Sequence, residues 1–305
     1  MDEEGKLMRE ITLEELLEAG CHFGHQVTRQ NPKARDFIFE ARDGIHIIDL
    51  EKTKEGLEEA AAFVKELGRK GGTLLVLGTK RQANGILKSE LKRVSDAGVG
   101  GLYFVTQRWI GGTLTNFQEV SKNYKKLQDL SAKLKDDYEK AKYTKKEIGD
   151  WDKSRQKLEG FYGGTSDMVK TPDALFIIDT HIEHVAVKEA LKMGVPTVGI
   201  TDTNSDPTII THPIPANDDA VGSLQLIISY IFDAWIEGKQ IGDKEAVKAK
   251  EVEEKEAAKK VAASEKATAD EAKKKTEVKA PAAKEKAPEK KVAKKTKVSE
   301  DKKKA

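Results

Sequence analysis

The side chains able to do chemistry in this chain gather in a few polar stretches. Cys21-His22-x-x-His25 sets a thiol and two imidazoles at short spacing, three of the four ligands that a structural zinc ion takes. The paired Cys or His partners of a zinc motif are absent, and Gly24 reads as a tight turn, so no metal is predicted there. Beside Arg29, Asn31, Lys33 and Arg35, the imidazoles of His22 and His25 suit contacts to phosphates and sugars instead. His181-x-x-His184, with Asp179 and Glu183, has the residue types for general acid–base work at the carboxyl end of a strand. No nucleophile motif and no HExxH accompanies it, and histidines at a helix start commonly satisfy local hydrogen bonds. No catalytic residue and no cofactor is predicted.

Two further stretches suit anions. LVLGTKRQA puts Gly78, Lys80 and Arg81 just past a strand, where a helix start offers free amides to phosphate. Neither GxxxxGK[ST] nor a GxGxxG turn is present, so a mononucleotide enzyme lacks its fingerprint, whereas a nucleic-acid backbone needs only charge and donors. YFVTQRWIGGTLTNF interleaves Arg108, Trp109, Gly111, Gly112 and Asn116, a mixture suited to RNA, where stacking and sugar contacts matter alongside phosphate. Trp109 reads equally well as a hydrophobic plug and the glycines as a hinge. Arg42 and Lys122 complete the predicted RNA-contacting set. Acidic residues gather later, at DTNSDP and NDD, and residues 171–240 hold 3 Lys against 10 Asp and Glu. That half should avoid phosphate; its loops could hold magnesium, but turn and helix-cap roles fit them better.

The elements that must position these groups follow from hydrophobic periodicity. Thr12 and Glu15 form a capping box ahead of Leu13, Leu16 and Leu17, with a stop at Gly20. FIFEARDGIHIIDL is a hairpin about Asp43-Gly44. Leu57, Ala60, Ala61, Val64 and Leu67 mark a helix over 52–69. Buried strands then alternate with helices: strands at 73–78, 102–105, 174–179 and 196–200, helices at 81–94, 182–193 and 219–237. This alternation predicts an α/β fold, a Rossmann-like parallel sheet flanked by helices. Between Thr113 and about Arg155, Leu114, Phe117, Val120, Tyr124, Leu127, Leu130 and Leu134 make one apolar stripe on a charged cylinder. A break near Gly149-Asp150 folds it into an antiparallel coiled-coil hairpin.

Composition separates two objects. The 305 residues are 35% charged with net charge +2, but from residue 241 onward 21 Lys face 14 Asp and Glu, a net +7 that leaves residues 1–240 at −5. A whole-chain basic argument for nucleic-acid binding therefore fails. The Lys/Ala/Glu-rich stretch 241–305 has no aromatic residue and is predicted to be a disordered tail. One cysteine and no signal-like start predict a cytosolic protein, and no apolar run approaches the roughly 20 residues of a membrane span.

The ordered strings GCHFGHQ, NPK, IFEARDGIHIIDLEKT, LGTKRQA, YFVTQRWIGGTLTNF, DALFIID, VPTVGITDTNSDP and IPANDDA resemble the bacterial form of the ribosomal protein S-two family, over about residues 10–238. The resemblance implies a Rossmann-like domain with a projecting coiled-coil hairpin, a structural part of the small ribosomal subunit between head and body. It implies ribosomal RNA and neighbouring ribosomal proteins as partners, with no membrane, no small-molecule substrate and no enzymatic activity. Relatives usually carry an aromatic residue and more basic character where this chain has Thr28-Arg29-Gln30, and the stretch EGFYGGTSDMVKTPD also departs from their pattern. The expected division is 1–112 and 163–240 for the α/β domain, 113–162 for the hairpin and 241–305 for the tail. The competing reading is a nucleotide- or sugar-phosphate-binding enzyme using Lys80, Asp179, His181 and Asp202.

Overall fold

The computed structural model describes residues 9–276, with side chains for residues 9–248. Residues up to Lys248 form one compact unit; of the second, which begins at Ala249, the described part is helical backbone. In the first unit, α1 (Leu13–Glu18) is opened by Thr12, whose hydroxyl accepts from Glu15 N while the Glu15 carboxylate caps Thr12 in return. The chain then runs β1 (Phe23–Gln26), two short 3-10 turns, β2 (Ile38–Arg42) and β3 (Ile45–Ile48), an antiparallel ribbon in the order β1-β3-β2. Its hairpin turns at Asp43 and Gly44, both at positive φ, 52° and 78°, as a two-residue turn matching the strand twist requires. β1 was read from sequence as a polar loop with a turn at Gly24. It is extended instead, because a Cβ on Gly24 would stand 2.7 Å from Thr203 Cγ2, so glycine serves close approach here.

After α2 (Leu50–Arg69) come β4 (Leu74–Leu77), α3 (Arg81–Asp96) and β5 (Leu102–Val105). The helical segment α4 (Phe117–Lys135), α5 (Asp137–Lys140) and α6 (Lys145–Tyr162) intervenes before β6 (Ala174–Ile177), α7 (His184–Met193), β7 (Thr197–Thr201), β8 (His212–Pro215) and α8 (Val221–Thr276). The five strands β4 to β8 form one parallel sheet in the order β5-β4-β6-β7-β8. β8 escaped the sequence reading because its two prolines, Pro213 and Pro215, cannot donate to a ladder; the structure places it at the sheet edge, where that loss is tolerated.

The strands are buried on both faces, which is why they read as continuous apolar runs. Leu74, Val76, Ala174 and Phe176 pack with α2, α3 and α8 on one face. Leu75, Leu77, Leu175 and Ile177 pack on the other with α7, Trp109 and Leu114. α4 and α6 run in opposite directions, Tyr124 meeting Tyr162 edge-on and Lys133 lying over Trp151. The reversal is not at Gly149-Asp150, which lies inside α6; it falls between Lys135 and Lys145, and Thr144 and Glu147 open α6 with a capping box. α8 runs beyond residue 237, where the periodicity ends, in sequence rich in the helix formers Ala, Glu and Lys. Residues 277–305 of the predicted tail lie outside the described residues.

Candidate functional site

From β4 the chain leaves toward β5 and from β6 toward β7, so the sheet has its topological switch between β4 and β6. Open α/β sheets bind ligands in the crevice at that point, beyond the carboxyl ends of the strands. Here the crevice is filled by the protein's own charges. The Lys80 ammonium reaches Asp179 Oδ2 at 3.1 Å, Asp218 Oδ1 at 2.8 Å and Asp219 Oδ1 at 2.7 Å. Burial works against the lysine charge, but hydrogen bonds to Asp218 and Asp219 outweigh it and hold Lys80 well above its ordinary value. Burial, with Asp179 and Asp202 nearby, pushes the Asp218 carboxyl up to about 7. Asp179 Oδ1 accepts from the backbone N–H groups of His181 and Ile182, and Thr79 Oγ1 donates to the buried Glu183. Lys80, predicted to meet a phosphate, is thus neutralised within the fold, while Arg81 beside it is exposed at the start of α3.

β1 closes one side of this crevice. His25 N donates to Thr203 Oγ1 at 2.9 Å, and Asn31 N donates to the Thr203 carbonyl at 2.8 Å. His25 Nδ1 lies 3.0 Å from Asp202 Oδ2 and Nε2 lies 3.7 Å from Asp219 Oδ2. The hydrogen bond to Asp202 raises the imidazole above its ordinary value, against burial. His22 has the opposite environment: its Nδ1 is buried without a partner, its ring lies 4.0 Å from Phe23, and burial lowers its basicity. Cys21 is buried, which pushes its thiol up. Among the described residues the potential metal-ligating cluster unites His25 with Asp218 and Asp219 and includes neither Cys21 nor His22.

The second predicted loop is organised by a residue that sequence reasoning missed. Glu189, on the buried face of α7, accepts at Oε1 from Trp109 Nε1 (3.2 Å) and Gly112 N (2.8 Å). Its Oε2 accepts from Leu114 N (3.1 Å), Thr115 N (3.3 Å) and Thr115 Oγ1 (3.2 Å). Burial disfavours the charge, but these donors prevail and hold the carboxyl below its usual range. Trp109, only 7% exposed, is therefore a plug rather than a stacking platform. Arg108 and Asn116, at the two ends of the loop, are exposed. Glu189 carried one legible sign, a carboxylate on the stripe of Ala186 and Ala190 at helical spacing.

The remaining predicted residues form a fringe of exposed side chains, apart from the half-buried Asn31. Asn31 caps the 3-10 turn Pro32–Phe37 by accepting from Lys33 N at 3.0 Å. Lys33 Nζ is 2.7 Å from Asp206 Oδ2, and Lys122 pairs with Glu119 at 2.8 Å on α4. Among the described residues the ion-paired arginines are Arg9, Arg69, Arg93 and Arg155. Arg29, Arg35, Arg42, Arg81 and Arg108 are exposed and outside those pairs. The expected separation of a basic first half from an acidic second half does not survive folding. Lys33 with Asp206, Lys80 with Asp218 and His25 with Asp202 interleave the two.

The family model described as Ribosomal protein S2 matches residues 16–238, which include the ribbon, the whole parallel sheet and every residue of the crevice. The Small ribosomal subunit protein uS2 of Corynebacterium diphtheriae is 46% identical over 244 residues, 79% of this chain and 89% of that protein. A family model matched over most of the chain and 46% identity over 79% of it show that the chain belongs to the ribosomal protein S2 family.

Proposed function

We infer that this chain is a structural constituent of the small ribosomal subunit, holding ribosomal RNA and neighbouring ribosomal proteins by position rather than by chemistry. The observation that carries this reading is the family match over residues 16–238 joined to high identity with a small-subunit protein. The crevice agrees with it. Where a nucleotide-binding relative of this sheet would receive phosphate, three aspartates face Lys80 and a fourth, Asp202, faces His25, so an enzyme built on Lys80, Asp179 and Asp202 would meet charge repulsion at its own ligand site. No described helix is long and apolar enough to cross a membrane, and a ribosomal constituent works in the cytoplasm.

The RNA-contacting surface in this reading is the exposed fringe: Arg29, Arg35, Arg42, Arg81 and Arg108, with Lys33, Lys122 and Asn116 at its margins. His22, His25, Asn31 and Lys80 set the shape of the loops from which the fringe projects. Phosphate contacts of this kind confer affinity and register without reading sequence. The α4–α6 pair serves as a coiled-coil hairpin for docking a neighbouring protein or RNA segment, and the +7 stretch from residue 241 onward adds a long-range attraction to polyanions. Sucrose-gradient sedimentation of a tagged copy, with and without ribonuclease, tests the assignment. Ribonuclease-sensitive migration with the small subunit is expected; migration as a free protein under all conditions would overturn it.

A further inference from the structure

We propose that the outer face of α7 is a further RNA-contacting surface, on which His184, Lys188 and Lys192 form one row along a ribose-phosphate backbone. The inference rests on the ribosomal reading for the source of the RNA, and it adds a face in the half of the chain whose composition is acidic. Residues 171–240 hold three lysines. Lys239 is spent inside the fold, donating to the Gly72 carbonyl at 2.7 Å beside the Trp235 ring. The other two, Lys188 and Lys192, are exposed on α7 and, among the described residues, stand outside every ion pair.

The sequence around α7 has acid enough to neutralise them, in Asp179, Glu183 and Glu189. The fold turns all three inward, each at least nine-tenths buried. Asp179 holds Lys80 at 3.1 Å, Glu183 accepts from Thr79 Oγ1, and Glu189 is saturated by the Trp109–Thr115 loop. What remains outside is cationic. Spacing of four residues sets positions 184, 188 and 192 in one row, ~12 Å from end to end, which faces more than one phosphate of a nucleic-acid strand.

His184 decides between the two polyanions that such a row could meet, an RNA and an acidic protein segment. Its Nδ1 lies 3.3 Å from the Ile182 carbonyl oxygen, which can only accept, so in the neutral ring Nδ1 carries the proton and Nε2 is left as an acceptor. The carboxylates of an acidic segment have no proton to give it, whereas a ribose 2′-hydroxyl does. The row is also continuous with the surface proposed above. α7 packs on the same face of the sheet as Trp109 and Leu114, and Glu189 ties the loop that follows Arg108 to α7. A backbone held at Arg108 has α7 on the same side of the sheet to continue along.

The test is filter binding of the full-length chain to a small-subunit ribosomal RNA transcript across a salt series. The double variant Lys188→Gln, Lys192→Gln is expected to bind at least ~10-fold more weakly, with a log–log salt slope shallower by about two. Lys70→Gln removes an exposed lysine that Glu66 already pairs at 3.3 Å, and should keep the wild-type affinity and slope. A double variant with the wild-type slope would overturn the row. So would a drop in its melting temperature without a change of slope, which would make the lysines helix-end partners only. Carbodiimide coupling of Lys188 or Lys192 to a carboxylate of a neighbouring protein in intact subunits would assign the face to an acidic protein instead, and overturn it. If wild type sediments with the small subunit while the double variant keeps its slope, the row alone fails; a wild type that neither sediments with the subunit nor binds the transcript fails the ribosomal reading itself.

Discussion

Lys80 and Arg81 are neighbours in sequence and opposites in the fold. Lys80 turns into the crevice against Asp179, Asp218 and Asp219, while Arg81 opens α3 in solvent. A cation that finds its anions within its own chain is a structural element. One that finds none among the described residues is an exposed surface charge, the kind proposed above to meet RNA. The same division separates Glu189, saturated by five donors, from Arg108 one residue ahead of the loop that Glu189 holds. What distinguishes positioning from contacting residues is thus whether tertiary structure has already satisfied them.

The largest expected effect breaks the comparison on its buried side. Lys80→Met leaves Asp179 and Asp218 facing each other unpaired, and denaturant unfolding should show a loss of about 3–5 kcal/mol. Arg81→Ala should stay within about 0.5 kcal/mol of wild type. Equal losses for the two would mean that Lys80 is no more committed to the fold than its neighbour.

Glu189→Ala should cost about 3 kcal/mol, because it strands the donors of Trp109, Gly112 and Leu114. Since the fold holds the Glu189 carboxyl below its ordinary value, its contribution is present above that ordinary value and lost as pH falls through the depressed folded one. Glu189→Gln should therefore flatten the acid limb of the stability curve below about pH 4.5; an unchanged limb would remove Glu189 from that role.

On the exposed side, Arg108→Ala or Arg81→Ala should leave melting unchanged and lower affinity for small-subunit RNA about tenfold, with the log–log salt slope shallower by about one. Filter binding across a salt series reads both quantities, and a slope identical to wild type would place that arginine off the RNA. Smallest of all, Gly149→Ala should stabilise by about 0.5–1 kcal/mol, since Gly149 lies inside α6 with open space around its missing side chain. Thermal melting decides that case, and a destabilisation would mean that the reversal of the helical pair uses Gly149 after all.

Much of the architecture was legible because it rests on local signals. The capping box at Thr12, the Asp43-Gly44 turn and the apolar runs at β4, β5, β6 and β7 each declare themselves within a few residues. β1 and β8 did not, because neither carries its own pattern. One is polar and held by Thr203; the other holds two prolines and survives only at an edge. The helical reversal is set by the Thr144–Glu147 capping box, a local signal as legible as Gly149, which instead lies inside α6.

The candidate site divides in the same way. Residue types and loop positions, and with them the family, are properties of the linear chain: GCHFGHQ, LGTKRQA and IPANDDA stand in order whatever the fold does. Which charges remain free was decided only in three dimensions. The parallel strands bring residues 80, 179, 202 and 218 to one end of the sheet and the ribbon brings residue 25 against them, across as many as 193 positions of sequence. Coulombic attraction and desolvation act through space, so pairing, and the distinction between a positioning lysine and a contacting arginine, exists only once the sheet has formed.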